Sequence, residues 1–200
     1  MTLYERMLTE TLLAVAVREA KSLTEWPWQR EEKASLVCVP TFEPEWALLV
    51  VGERKAAFWV LFVEAQKSLW YSTNNWYSAK GDPEIPSPPP VEIHRNELNP
   101  SLAGAVCDIW SRVLLQTRYP QEPLDGCDGV TYHFAYSGKG KLAMAGKTWS
   151  PEEETVPGKL VGLSHALRDY AKDAANQDVF LTVIEDHLEW FQTHLQQLSS

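Results

Sequence analysis

The chain has 200 residues, of which 44% are hydrophobic and 22% charged, and a formal net charge of −9. That length sustains one domain whose core needs neither disulfide nor metal, and the apolar content excludes a chain disordered throughout. The negative field disfavours binding to nucleic-acid phosphates and favours basic partners.

Residues 3–22 read as a helix. Leu8, Leu12, Val15 and Glu19 share a face, widened by Met7, Ala14 and Val17. Thr24-Glu25-Trp26-Pro27-Trp28 breaks it. Residues 35–40 read as a short strand stopped by Pro40. The apolar runs Trp46–Val51 and Ala56–Val63, joined by Gly52-Glu53-Arg54-Lys55, read as an antiparallel hairpin. Runs with no polar alternation imply strands covered on both faces. Leu69-Trp70-Tyr71 extends or follows the second strand, and Asn74-Asn75 turns the chain.

Residues 81–90 hold five prolines in ten positions. They form a stiff, extended connector, read here as a long loop within a single domain spanning 1–200. Val91–His94 alternates like a strand. Asn99-Pro100 opens a helix, with Asn as N-cap and Pro in the first turn, and the helix runs to about Thr117. Val130–Tyr136 has strong strand propensity. Ser137-Gly138-Lys139-Gly140 turns it, and 141–149 returns as its partner. Ser150-Pro151-Glu152-Glu153 resembles a capping-box helix start that Pro157 limits to about one turn.

Two helices close the chain. Leu160, Leu163, Leu167, Tyr170 and Ala174 line the first. Phe180, Ile184, Leu188, Phe191, Leu195 and Leu198 line the second. The expected class is α+β: a mainly antiparallel sheet of five to six strands with about four helices, two of them C-terminal.

The N-terminus lacks the basic start and long apolar run of a signal peptide, and no stretch approaches the ~20 apolar residues of a membrane span. A cytoplasmic location is expected. Cys38, Cys107 and Cys127 are odd in number and widely spaced, with no C-x-x-C pair, so no zinc ribbon or dithiol site is written here. Neither a cofactor nor a metal is expected.

Catalytic motifs fail on spacing. Ala145-Gly146-Lys147-Thr148 resembles the end of a phosphate-binding loop, but its first glycine is misplaced and Trp149-Ser150-Pro151 follows where a helix should start. Gly162-Leu163-Ser164-His165 lacks the second glycine of a nucleophile elbow. His187 and His194, seven apart, do not converge on one ion. The remaining catalytic constellation is Asp125, Asp128 and His133, joined by His94, as a metal-dependent or acid/base site.

Charge and rings point instead to binding. Residues 151–200 hold nine carboxylates against three bases, and the chain carries nine Trp and seven Tyr. Glu185, Asp186 and Glu189 would steer a basic protein partner and Trp190 would anchor it. Trp70, Tyr71, Trp76 and Tyr77 form a second aromatic group beside the amides of Asn74 and Asn75.

Two segments carry a resemblance: Leu114-Leu115-Gln116-Thr117-Arg118-Tyr119-Pro120, and Leu124-Asp125-Gly126 with Asp128-Gly129-Val130-Thr131-Tyr132-His133-Phe134 and Gly146-Lys147-Thr148-Trp149-Ser150-Pro151. They resemble small bacterial cytoplasmic proteins, some of which are similar to the immunity proteins that block secreted toxins. The resemblance spans residues 91–175 and implies a non-catalytic, partner-masking role. It carries no site residues.

Overall fold

A computed structural model describes residues 12, 14–23, 32–52, 57–70, 89–117, 128–138 and 143–197. Among them the chain order is α1 (Ala14–Leu23), β1 (Glu32–Pro40), β2 (Trp46–Gly52), β3 (Phe58–Ala65), β4 (Val91–Leu98), α2 (Pro100–Leu115), β5 (Val130–Ser137), β6 (Met144–Trp149), α3 (Val156–Lys172) and α4 (Gln177–Gln197). The class is α+β, with two C-terminal helices.

The strands form one antiparallel sheet in the order β4-β3-β2-β1-β5-β6. β1, β2, β3 and β4 follow one another outward. The chain then crosses the sheet through α2 and adds β5 and β6 on the far side of β1. The proline-rich segment is described only at Pro89 and Pro90. Pro90 accepts the Gln66 N–H at 2.9 Å, and β3 pairs with β4 across the segment.

Alternation along each strand sorts side chains to two faces. Leu36, Leu48, Val50, Val60, Phe62, Tyr132 and Phe134 share one face with the apolar sides of α2, α3 and α4. Val37, Leu49, Val51, Leu61 and Val63 share the other with Leu12 and Ala16. Every residue of β2 is buried, which is the physical meaning of its unbroken apolar run. Each fully buried Leu or Phe contributes roughly 1.5–3 kcal/mol, so this two-sided core dominates stability.

Local chemistry sets the helix starts. The Asn99 side chain accepts the Ser101 N–H at 2.8 Å, with Pro100 in the first turn of α2. α3 starts later than the capping-box reading has it. Thr155, not Ser150, is its N-cap and accepts the Gly158 N–H at 3.2 Å. Pro157 falls in the first turn, where its missing N–H costs nothing, so the helix continues for 17 residues.

Ser150 instead closes the β5–β6 pair. It adopts φ 37°, donates its N–H to Val130 O at 2.8 Å and accepts the Val130 N–H on its hydroxyl at 2.9 Å. These bonds hold a left-handed backbone that a serine otherwise avoids. Other boundaries shift. β1 begins at Glu32, β3 runs on to Ala65 and β4 to Leu98, and Leu69-Trp70 follows β3 as a helical turn.

Candidate functional site

α4 carries Asp178, Glu185, Asp186 and Glu189 and no Lys or Arg. Its buried stripe is Ile184, Leu188, Phe191 and Leu195, packed into the core beneath it. A helix advances about 100° per residue, so the positions flanking that stripe face different neighbours. On one flank Leu181, Glu185, Glu189 and Gln192 face the start of α2, where Asn99, Ser101, Leu102 and Ala105 complete an open groove of about 690 Å³. Leu102 and Leu181 are half-buried and pack on the core, while Leu188 is buried. Glu185 and Glu189 are exposed, one helical turn apart. The groove therefore joins an apolar floor to an acidic wall.

Trp190 lies on the opposite flank, against α3. Its ring stacks on His194 at 3.9 Å between centroids and meets Phe191 edge-on at 5.2 Å. The Lys159 ammonium sits 5.8 Å from its centroid. His194 Nδ1 is 2.8 Å from the Trp190 carbonyl, which accepts its proton. Trp190 is half-buried and packed against the core. Glu185 and Glu189 are thus brought together in the groove, Asp186 points outward, and Trp190 is separated from them. Neighbours in sequence are not neighbours around a helix.

A second exposed feature lies at the end of the sheet where β1 and β3 finish and β2 begins. Phe42 is 66% exposed and Trp70 45%. Behind them the fully buried Glu45 carboxylate accepts the Leu69 N–H at 2.6 Å, the Trp70 N–H at 3.0 Å and the Ser68 hydroxyl at 3.4 Å. Glu45 thereby fixes the backbone from which Trp70 projects. Tyr71, Trp76 and Tyr77 lie outside the described residues.

The constellation of Asp125, Asp128, His133 and His94 is dispersed where it is described. His94 is on β4, on the face packed by α2, α3 and α4, opposite Phe62. His133 is on β5, exposed on the other face, paired with Val37 and Lys147. Four strand spacings, about 19 Å, and the thickness of the sheet separate them. Asp128 is exposed in the bend before β5, five residues ahead of His133. Asp125 lies outside the described residues. Among the described residues no group of three or more His, Cys, Asp or Glu is arranged to hold a metal ion.

The structure also assembles a cluster that motif reading missed. Cys38 pairs across the sheet with Trp46 and Tyr132. His165 of α3 lies over the same row, 5.7 Å from Trp46 and 6.2 Å from Tyr132 between ring centroids, and Arg168 reaches Trp46 at 5.8 Å. Burial pushes the Cys38 thiol above its ordinary range, against the pull of Arg168. Burial likewise pushes the Tyr132 hydroxyl up to about 12. Burial, aided by Arg168, lowers His165. A protonated thiol beside a neutral imidazole is not the thiolate–imidazolium pair of a cysteine nucleophile. The cluster does packing work. The signal that could have located it is the apolar stripe of α3, which passes His165 over the sheet.

No protein-family model, curated protein or solved structure matches the chain. Among the described residues no helix is long and apolar enough to cross a membrane.

Proposed function

We propose that this is a non-catalytic cytoplasmic binding protein that docks a basic protein partner through the acidic groove between α2 and α4. In its sharpest form it is an immunity or inhibitor protein that masks a bacterial toxin, needing no cofactor. The observation that carries the reading is Glu185 and Glu189 walling a groove floored by Leu102, Leu181 and Leu188. The absence of any Lys or Arg from α4 supports it, because no cation on that helix neutralises the wall.

The physics is that of steered association. Rim carboxylates raise the encounter rate with a cationic surface and lose that effect as salt screens them. The apolar floor supplies contact that salt does not weaken. Exposed Trp70 and Phe42 offer a second contact region, with Trp70 pre-ordered by Glu45 at little entropic cost.

The test is co-purification from native extract at low and high salt, using the wild-type chain and a Glu185→Gln/Glu189→Gln variant. The expected result is a basic protein retained at stoichiometric level by wild type at low salt, weakened at high salt and depleted on the variant. Equal retention by both, or retention indifferent to salt, contradicts the reading.

A further inference from the structure

Resting on that docking reading, we infer a narrower property: the groove between α2 and α4 is shaped for one amphipathic, basic helix of a partner protein. The argument is geometric. The groove runs between two helices and is lined from both. Leu181 and Leu188 lie two turns apart on α4, about 10.5 Å along its axis. Leu102 and Ala105 face them from the first two turns of α2.

Ala105 is the small apolar residue in this lining and leaves room for an incoming side chain. Leu102 and Leu181 remain half-buried, so an occupant completes their burial. Above this floor Glu185 and Glu189 repeat at one-turn spacing, and Gln192 continues the flank. An extended strand repeats its side chains every 6.5–7 Å on one face and offers no broad ridge. A helix presents apolar residues at i, i+4 and i+7 with Lys or Arg along one side, matching both repeats.

Charge decides the occupant further. A second copy of this chain carries −9 and is repelled by an acidic wall, whereas a basic helix complements it. The partner chemistry is therefore a heterologous amphipathic helix with cations spaced one turn apart.

The experiment uses two fluorescein-labelled Leu/Ala/Lys peptides of identical composition, each about 18 residues long so that the helix can form. One is arranged as an amphipathic helix and its permuted isomer is not. Anisotropy titrations on the full chain should show the amphipathic peptide bound at least about tenfold more tightly than its isomer. Ala105→Trp, which fills the groove, should cost a similar factor. Glu185→Lys/Glu189→Lys, on the exposed wall, should do the same with an unchanged thermal melt, which guards against misfolding of the first variant.

If both isomers bind alike and the charge reversal weakens both, the helical groove falls while the acidic docking surface stands. If neither peptide binds, or if both variants bind like wild type, the groove has no such role and both readings fall.

Discussion

Glu45 and Trp70 are joined by a hydrogen bond from the Trp70 N–H to the Glu45 carboxylate at 3.0 Å, and that carboxylate is wholly buried. A buried carboxylate is costly unless its oxygens are satisfied, and here the N–H groups of Leu69 and Trp70 and the Ser68 hydroxyl satisfy them. The cluster ties the start of β2 to the chain leaving β3 and orders an exposed tryptophan. Glu45→Ala leaves those donors without their acceptor. The expected loss is about 3 kcal/mol in urea unfolding, with an unchanged m-value. A loss below about 1 kcal/mol would mean that Glu45 does not hold this turn.

Gly162 and His187 set how closely α3 and α4 approach. A Cβ on Gly162 would lie 2.7 Å from His187 Cε1. Gly162→Ala therefore gains helix propensity of about 1 kcal/mol but meets the imidazole. In wild type the substitution is expected to be neutral or destabilising. In a His187→Ala background it should stabilise by up to about 1 kcal/mol, so a double-mutant cycle should show coupling of that size. Additive effects would show that the two residues are not in contact.

His165 and His187 give the protein an acid-side dependence whose sign is fixed. Burial lowers both below the ordinary histidine range. Arg168 adds to this at His165, and Lys159 adds to it at His187. Asp169 partly opposes the shift of His165, and Asp186 and Glu153 partly oppose that of His187. In the unfolded chain each returns to about 6.5. As pH falls through that value, the unfolded state takes up protons that the folded state does not, so stability is complete above it and declines below it. A His165→Gln/His187→Gln variant should lose less stability than wild type between about pH 7.5 and pH 5. Parallel curves would remove both histidines as the cause.

Cys38 and Cys107 should resist alkylation in the native state. Both are buried, and burial holds the Cys38 thiol protonated at neutral pH. Iodoacetamide labelling mapped by mass spectrometry should modify them only after unfolding. Rapid native labelling of Cys38 would indicate an open, activated thiol and revive a nucleophilic role for the cluster with His165.

Much of the architecture was legible because it is local. The unbroken apolar runs of β2 and β3 required covering on both faces. Asn99-Pro100 marked the start of α2, and the spacing of Ile184, Leu188, Phe191 and Leu195 marked the buried side of α4. The groove was only half legible. Glu185 and Glu189 were evident as an acidic surface, but their apolar partners Leu102 and Ala105 come from a helix some eighty residues earlier. No local pattern announces that meeting. Trp190 and Glu189 adjoin in sequence, but a rotation of about 100° per residue sets them on different flanks of α4. Strand order likewise keeps His94 and His133 apart, and only long-range pairing decides that order.

The central claim is that Glu185 and Glu189 hold a basic partner in the α2–α4 groove. Its most direct test is the affinity of the co-purified partner for wild type and for Glu185→Gln/Glu189→Gln across a series of ionic strengths. The account predicts weaker binding by the variant at low salt, about tenfold, and curves that converge as salt rises. Superimposable curves for the two proteins at every ionic strength would contradict it.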